Sequence, residues 1–395
     1  MSAAGTKRAR SRKPPHPGPL PSGEREKTDR AIARALERWY AANARALPWR
    51  EPVRDPWRAL ISEIMLQQTQ ASRVAERYPA FVRAFPTPAV MARAGEQRVL
   101  AAWSGMGYYR RARHLHAAAC AIVERHNGAA PRDAERLRAL PGVGRYTAGA
   151  VASIACGQRT PIVDANVARV VLRLEGRPLR VRDAEAQTLA WERAEAMVNA
   201  ASDPGAFNEA LMELGALVCT PRAPRCADCP LNKHCRAAAE GAQADIPAPA
   251  ERAARRDVHH AAVLLRDDRG RVLVERRPDA GLWAGMWQAP TLEDDHRPPG
   301  ARRLATWLGM GPGAGPGAGR LRLHDRFDVA TTHRNVRFSV WTPTGTIAAA
   351  AVLTAPGGAG GSGASGGPGG RHWKSPAQLR RLALATPHRR MLLGG

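Results

Sequence analysis

The sequence predicts a mainly α N-terminal domain followed by a smaller α+β domain, and three observations lead to this prediction. The chain has 395 residues, a length that suits two or three domains. Apolar residues recur at helical spacing from Thr28 to about Cys219, without an alternating strand pattern between them. Beyond residue 256 short β-like runs replace the helices, namely His259–Arg266, Arg271–Arg276 and Arg337–Trp341.

Amphipathic spacing and capping residues define the helices of the first domain. The segment Asp29–Asn43 places Ile32 and Leu36 on one face. Asp55-Pro56 opens the next helix, because Asp caps a helix start and Pro suits its first turn. Further helices are predicted at about 71–84, 88–101, 109–127, 133–139, 145–157, 164–175, 184–201 and 205–218.

Composition sets the remaining boundaries. The first residues are basic and rich in Pro and Gly, which predicts disorder, and Gly241–Arg256 has the Ala, Pro and charge of a linker. Later, Asp267–Gly270 predicts a hairpin turn, and the Gly-rich stretches 309–319 and 357–370 predict flexible loops. The predicted segments are a basic tail over 1–27, the helical domain over 28–218, a cysteine loop over 219–240, a linker over 241–256 and the α+β domain over 257–390.

The charge balance points to a nucleic acid. A formal net charge of +25 suits a polyanion such as DNA or RNA, although a general bias toward arginine would produce the same excess. Only five residues are lysines, and none lies between Lys27 and Lys233. Nothing resembles a membrane span or an apolar signal sequence. We therefore expect a cytoplasmic, nucleoid-associated monomer that makes no membrane contact.

Four cysteines form a candidate metal site. Cys219, Cys226, Cys229 and Cys235 lie in one short loop, whereas Cys120 and Cys156 are isolated within predicted helices. In a reducing compartment such a cluster favours a metal over disulfides. Zinc usually takes two close pairs and only one is present, while four thiolates also suit a [4Fe–4S] cluster, so both remain open. The basic residues of this loop could contact phosphates, or their charge could be incidental to a structural staple.

A small-residue turn precedes one of the predicted helices. In Pro141-Gly142-Val143-Gly144 the glycines can take positive φ without strain, and a helix begins at Arg145. Free backbone N–H groups at a helix start suit a phosphate oxygen. Residues Gly142, Val143 and Gly144 are therefore candidate contacts to a DNA backbone.

Two carboxylates are candidates for a catalytic pair in unlike environments, one as a proton donor and the other as a fixed negative charge. Glu63 has Leu60 and Leu66 as helical neighbours, and desolvation there would raise its pKa and suit a general acid. A water-exposed helix glutamate is the alternative. Asp164 precedes a helix and could be an N-cap only, or a fixed negative charge that stabilises an oxocarbenium ion.

Five motifs of this chain resemble the MutY adenine glycosylases, which belong to the helix-hairpin-helix DNA glycosylases. They include Leu-Pro-Trp-Arg and Ser-Glu-Ile-Met-Leu-Gln-Gln-Thr within 47–70, and Gly-Met-Gly-Tyr-Tyr-Arg-Arg-Ala-Arg at 105–113. The others are the turn at 141–149, Pro-Ile-Val-Asp-x-Asn-Val at 161–167, and Asn-Glu-Ala-Leu-Met-Glu-Leu-Gly at 208–215. The resemblance covers residues 28–240.

This resemblance implies a function for each matched residue. Glu63 would protonate N7 of adenine, Asp164 would stabilise or transiently bond to the sugar carbon, and Tyr146 and Asn166 would assist. The cysteine spacing matches the iron–sulfur loop of the endonuclease III and MutY glycosylases, which implies a [4Fe–4S] cluster. The implied adenine pocket consists of Trp49, Arg50, Leu66 and Glu209, and Gln68 and Tyr108 would fill the duplex beside a flipped base.

The C-terminal domain carries a second resemblance. Residues 281–290 resemble the 8-oxoguanine-recognition domain of MutY, which shares the fold of Nudix hydrolases. The glutamate-rich metal helix of true Nudix enzymes is absent after Pro290, so we expect no pyrophosphatase activity. The Phe-Ser-His lesion-recognition loop appears here as Thr331-Thr332-His333, where Thr332 supplies a hydroxyl but no aromatic ring is present. Thr332 and His333 are the expected contacts to the opposite base.

Together the motifs predict a monofunctional adenine DNA glycosylase that acts on duplex DNA with 8-oxoguanine·A or G·A mispairs. The alternative within enzymes is an endonuclease III-like lyase, but Tyr146 occupies the position of its Schiff-base lysine, and no other lysine lies in the helical domain. A non-catalytic DNA-binding protein is the remaining alternative, against which both carboxylates argue. One departure is Ala165, where glycine is usual between the Asp and the Asn; it is tolerable only with negative φ.

Overall fold

The computed structural model describes residues 22–250, 254–310, 321–344 and 370–394, which form a helical domain and a smaller α/β domain. The helices are α1 Ser22–Asn43, α2 Pro56–Leu66, α3 Ala71–Ala84, α4 Pro88–Ala94, α5 Glu96–Ala102, α6 Arg110–Arg125, α7 Ala134–Arg138, α8 Arg145–Cys156, α9 Ala165–Leu174, α10 Ala184–Ala200, α11 Pro204–Leu217, α12 Arg236–Ala239, α13 Ala301–Trp307, α14 Pro376–Arg380 and α15 Thr386–Leu393. The strands are β1 Arg256–Val263, β2 Val272–Arg276, β3 Trp287–Gln288, β4 Thr291–Asp294, β5 Leu321–Ala330, β6 Arg334–Pro343 and β7 His372–Lys374.

The helices of the first domain follow the predicted pattern. Asp55 caps α2 by accepting a hydrogen bond from the backbone N–H of Arg58, with Pro56 in the first turn. The single helix predicted over 88–101 is wrong, because Gly95 divides it into α4 and α5. Its φ of 76° ends one helix and allows the next to begin at once.

Two apolar cores hold this domain together. One forms around α2, α3 and α6 and includes the fully buried Trp103 and Phe85. The other joins α1, α9, α10 and α11 around Phe207. The active-site residues described below lie on α2, α8, α9 and α11, so both cores support them.

The predicted tail is too long at its end, because α1 begins at Ser22 rather than after residue 27. Ion pairs compensate for the polar start of this helix: Arg30 pairs with Glu26 one turn earlier, and Arg25 reaches Glu175. Residues 1–21, the rest of the predicted tail, lie outside the described residues.

The linker packs against the helical domain, whereas its composition predicted a free connection. Ile246 is buried against Leu172, and its carbonyl accepts a hydrogen bond from Arg173 Nε at 2.7 Å. At the other end of the second domain, α15 continues to Leu393, past the predicted boundary at residue 390. Apolar residues in each place supply the contacts that composition alone did not indicate.

The C-terminal domain has a four-stranded mixed sheet, ordered β4-β1-β6-β5, and a three-stranded sheet, ordered β3-β2-β7. The hairpin turn predicted at 267–270 is confirmed, since Arg266 pairs antiparallel with Val272 across it. Asp267 does form the tight turn, but only residues near Leu265 and Leu273 pair across it. Beyond them both edges of β1 are occupied, by β4 and by β6.

The two domains are in direct contact through α5 and α6. Arg113 donates to the Asp279 carbonyl at 3.0 Å, and Tyr109 OH donates to the Leu384 carbonyl at 3.4 Å. Met286 joins the apolar core around α2.

No helix within the described ranges is long and apolar enough to cross a membrane. The predicted Gly-rich loops lie outside the described residues apart from their ends at Gly309, Met310 and Gly370.

Candidate active site

Glu63 lies on the buried face of α2, and only 5% of the residue is exposed. This excludes the alternative of a water-exposed helix glutamate. Its Oε2 atom is buried and has no hydrogen-bond partner among the described residues. Burial raises the pKa of Glu63 to about 7, with smaller increases from Glu209 and Asp164 and a partial offset by the neighbouring Tyr146 hydroxyl. The side chain can therefore carry a proton near neutral pH.

Asp164 is fixed at the start of α9. Its Oδ1 accepts the backbone N–H of Val167 at 2.7 Å, and its Oδ2 accepts the Asn166 side-chain amide at 3.0 Å. Arg169 in turn donates to Asn166 Oδ1 at 3.0 Å. The carboxylate is thus oriented by two donors, one of which is itself held in place.

Ala165 and Gly215 explain how this corner is built. Ala165 begins α9 with a right-handed helical backbone, so the departure from glycine is tolerated there. At residue 215 a Cβ atom would lie 2.8 Å from the Cβ atom of Asn166. Glycine therefore allows α11 to approach the start of α9 closely, which brings Glu209 and Asp164 to the same site.

Tyr146 lies in the first turn of α8, directly after the small-residue turn. Its hydroxyl donates to Met212 Sδ at 3.0 Å, and burial, together with the charges of Glu63 and Asp164, raises its pKa well above the usual value. The phenol is therefore neutral beside the two carboxylates, where a lyase would need an amine.

The turn before α8 has one glycine with positive φ rather than two. Gly142 has φ 75°, and a Cβ atom there would lie 2.3 Å from the Cβ atom of His114. Gly144 has φ −86° and ψ 175°, an extended conformation that suffices for an N-cap, so only Gly142 uses the positive φ that glycine allows. No side chain caps α8, and its first N–H groups therefore remain available to an anion.

An arginine and glutamate network lines the predicted adenine pocket. Arg50 pairs with Glu209 at 3.3 Å and with Glu213 at 3.1 Å, and Arg54 pairs with Glu209 at 2.9 Å. Arg45 holds both oxygens of the buried Glu213 at 2.7 Å, and these hydrogen bonds outweigh desolvation and lower the pKa of Glu213 to about 2. Trp49 and Leu66 pack, partly buried, against the core that contains α2.

Gln68 and Tyr108 have left-handed backbones, at φ 56° and 47°. Both are exposed, and Tyr108 leaves 47% of its surface open to solvent. Such strain in residues other than glycine concentrates at functional sites. Tyr108 is therefore not a core aromatic residue, whereas Tyr109 is buried.

The loop between β5 and β6 presents Thr331, Thr332 and His333 near Tyr108. The hydroxyls of Thr332 and Tyr108 are 2.7 Å apart, in a hydrogen bond between the two domains. Thr331 closes the turn through its hydroxyl, which accepts the Arg334 N–H at 3.0 Å. His333 is exposed, and its carbonyl accepts the Arg256 N–H at 3.0 Å.

The four clustered cysteines line one pocket behind α9. Cys219 Sγ accepts a hydrogen bond from Arg173 at 3.3 Å, and the Cys235 thiol donates to the Arg173 carbonyl at 3.4 Å. Within the described part of the chain, no group of three or more His, Cys, Asp or Glu side chains is arranged to hold a single metal ion. Four thiols around one pocket suit a multi-iron cluster, in which different iron atoms take the individual thiolates.

Comparison with known proteins agrees with this geometry. Residues 61–196 match the model of the HhH-GPD superfamily of base excision DNA repair proteins, and residues 261–394 match the NUDIX domain. The fold and the site together define a DNA N-glycosylase of the helix-hairpin-helix class.

The chain belongs to the adenine DNA glycosylase family of base excision repair. It is 47% identical over 223 residues to an adenine DNA glycosylase of Mycobacterium tuberculosis, covering 55% of this chain and 71% of that protein. The mouse adenine DNA glycosylase is 33% identical over 376 residues, covering 81% of this chain and 72% of the relative. The human adenine DNA glycosylase is 34% identical over 339 residues, covering 71% of this chain and 62% of the human protein.

Sequence reasoning missed three residues that the structure places around the site. Arg45 and Glu213 complete the pocket network, and Arg111 contacts the loops that carry Gln68 and Tyr108. Arg45 lies two positions before Leu47 of the Leu-Pro-Trp-Arg motif, and Glu213 and Arg111 lie inside quoted motifs. For Glu213 and Arg111 the available signal was a charged residue within a matched motif, whereas Arg45 lies outside the motifs.

Proposed function

We propose that this glycosylase hydrolyses the N-glycosidic bond of adenine opposite 8-oxoguanine or guanine in duplex DNA. The buried carboxyl of Glu63, with an unpaired oxygen and a pKa near 7, is the observation that carries the proposal. A general acid works best with a pKa near the working pH, and the pocket excludes the water that would otherwise stabilise its anion.

The reaction then needs four groups. Glu63 donates its proton to N7 of the flipped adenine, and the electron pair of the C1′–N9 bond leaves with the base. Asp164 stabilises the resulting sugar cation or bonds to it transiently, and Asn166 orients the carboxylate through its 3.0 Å hydrogen bond. Water supplies the hydroxyl at C1′, and its proton restores Glu63. Tyr146 remains neutral and keeps Met212 and Glu63 in place.

Arg50 and Glu209 support recognition of adenine, and Trp49 and Leu66 supply the apolar wall of this pocket. Gln68 and Tyr108 enter the duplex and occupy the space of the flipped base, since both are exposed and held in a left-handed backbone. The N-terminal end of α8, with Gly142, Val143 and Gly144, binds a phosphate.

Thr332 and His333 recognise the base opposite adenine. The hydrogen bond between Thr332 and Tyr108 supports this assignment, because it fixes the loop beside a residue that enters the duplex. Without the aromatic residue of the family loop, Thr332 supplies a polar contact only, so we expect weaker discrimination between 8-oxoguanine and guanine.

Cys219, Cys226, Cys229 and Cys235 hold a [4Fe–4S] cluster, which stabilises the loop that carries Arg222 and Arg225. Purified protein with about four irons per chain would agree with this assignment, and stoichiometric zinc would contradict it. The monomeric state and the cytoplasmic, nucleoid-associated location stay predictions.

A single-turnover assay tests the proposed function. The protein is mixed in excess with duplexes that contain 8-oxoguanine·A, G·A, G·C or thymine glycol. We expect free adenine from the first two duplexes only, and no covalent adduct after borohydride treatment. Efficient borohydride trapping, or no base release from 8-oxoguanine·A, would contradict the proposal.

A further inference from the structure

Arg111, on the first turn of α6, is a buried cation with an unusual set of partners. Only 8% of the residue is exposed, and within the described ranges no ion pair joins it to a carboxylate. Its guanidinium instead donates to backbone carbonyls and one hydroxyl. The acceptors are the carbonyls of Ile64 at 3.0 Å, Met65 at 2.7 Å, Gln67 at 2.5 Å, Met106 at 3.3 Å and Gly107 at 3.3 Å, and Thr69 Oγ1 at 2.9 Å.

Four of these acceptors, those of Gln67, Thr69, Met106 and Gly107, belong to two loops that are distant in sequence. Gln67 and Thr69 flank Gln68, and Gly107 precedes Tyr108. The guanidinium also lies 5.4 Å from the centre of the Tyr108 ring. One side chain therefore contacts the backbone beside both left-handed residues and reaches the aromatic ring of the second.

The same side chain is linked to the helix of Glu63. Ile64 and Met65 follow Glu63 directly, and their carbonyls belong to the last turns of α2, where the helix dipole favours a positive charge. This interaction offsets part of the cost of burying Arg111 without a carboxylate. The left-handed backbones of Gln68 and Tyr108 each store strain that surrounding contacts must hold.

We propose that Arg111 is the positioning residue that holds Gln68 and Tyr108 in the conformation that enters DNA, and sets both at a fixed place relative to Glu63. The proposal rests on the proposed function of these two residues. Arg111 touches no substrate in this assignment. Its effect on base release passes through the two loops. A planar guanidinium is required because its two terminal NH2 groups donate to acceptors on two separate loops, whereas its Nε–H has no partner among the described residues.

Hydrogen exchange of the DNA-free protein tests whether Arg111 holds the two loops, without reference to activity. In Arg111→Lys, whose ammonium has only three donors, we expect amides at 66–69 and 106–108 to exchange about tenfold faster, with α8 and α9 unchanged. The matched control is Arg110→Lys, an adjacent exposed residue on the same helix, which should leave both loops unchanged. Uniformly faster exchange throughout the helical domain would show a merely structural role and overturn the proposal.

A second measurement tests whether the contacts of Arg111 affect base flipping in bound DNA. A Glu63→Gln background prevents base release, and 2-aminopurine beside the target adenine reports unstacking by its fluorescence. We expect Arg111→Lys to reduce the fluorescence increase severalfold while the Kd for DNA changes by less than about threefold, because displaced wedge residues affect flipping more than phosphate binding. An unchanged increase would contradict the proposal.

A double-mutant cycle in the active enzyme completes the test. Arg111→Lys should slow adenine release about 10- to 100-fold alone, but much less when Tyr108→Ala is already present, since residues that act through one another are not additive. Equal factors in both backgrounds would overturn the proposal. If the wild-type protein releases no adenine, the proposed function fails. The hydrogen-exchange experiment still shows whether Arg111 holds the two loops.

Discussion

The active-site carboxylates and the loop at Thr331–His333 differ in almost every physical respect. Glu63 is buried on α2, whose apolar residues belong to one core of the helical domain, and Asp164 is fixed by two donors. Thr332 and His333 are exposed at the tip of a hairpin, and one hydrogen bond ties Thr332 to the helical domain. The proposed chemistry thus lies where side chains are buried or fixed by hydrogen bonds, and the proposed recognition of the opposite base lies where side chains can adapt.

The largest effect that would sharpen this contrast is expected from Glu63→Gln. Adenine release should fall about 10³- to 10⁴-fold, because the amide cannot donate the proton, while the Kd for the 8-oxoguanine·A duplex should change little. Single-turnover kinetics measure the rate of adenine release, and a binding titration measures the Kd. Near-normal release would remove Glu63 from the role of acid.

The pH dependence follows from the same carboxyl. Because the pKa of Glu63 is about 7 in the folded protein, release of adenine by the wild type should slow as pH rises through 7.

The raised pKa of Glu63 also means that the folded state binds the proton more tightly than the unfolded state. Stability conferred by that proton is present below the unfolded value of 4.5 and is lost as pH rises toward 7, so Glu63→Gln should be the more stable protein at pH 8. Chemical unfolding of both proteins at pH 5 and pH 8 checks the sign; equal stability differences at the two pH values would argue against burial of the carboxyl.

A smaller loss is expected from Asp164→Asn, about 10²- to 10³-fold in release rate, because the amide caps α9 as well as the carboxylate does but carries no charge. Thermal unfolding should remain within a few degrees of the wild type, which separates the charge from the cap. A large loss of stability with normal release would assign Asp164 to capping alone.

Only a modest effect is expected from the loop. Thr332→Val should reduce the preference for 8-oxoguanine·A over G·A by about two- to tenfold, the value of one exposed hydrogen bond. Tyr108→Phe removes the other half of the 2.7 Å contact, and the double variant should lose no more preference than either single one. An effect as large as that of Glu63→Gln would end the contrast between a rigid site and an adaptable loop.

The smallest effect is expected from Ala165→Gly. Since Ala165 is helical, glycine should leave the release rate within about twofold and lower the free energy of unfolding by about 0.5–1 kcal/mol. Chemical unfolding measures the free energy of unfolding, and a single-turnover assay measures the release rate. A clear gain in rate would mean that the alanine restricts the carboxylate beside it.

Much of this molecule could be predicted from local sequence. Capping by Asp55, Pro56 in the first turn of α2, and the starts of α8 and α9 were predicted to within a residue, because spacing and caps act over a few positions. Where local signals were weak, tertiary contacts decided: Arg25 pairs with Glu175 near the start of α1. The partners of β1 likewise came from distant strands, whereas the sequence indicated only its turn.

The sequence by itself determined the two-domain class, the four-cysteine loop and the absence of any lysine between Lys27 and Lys233. Only the tertiary structure decided that Glu63 is desolvated, that Arg45 and Glu213 support the pocket, and that Arg111 joins two strained loops. It also decided that Tyr108 meets Thr332 across 224 positions of sequence. Helix spacing and caps are encoded over a few residues, whereas a carboxyl pKa depends on which distant segments exclude water from it.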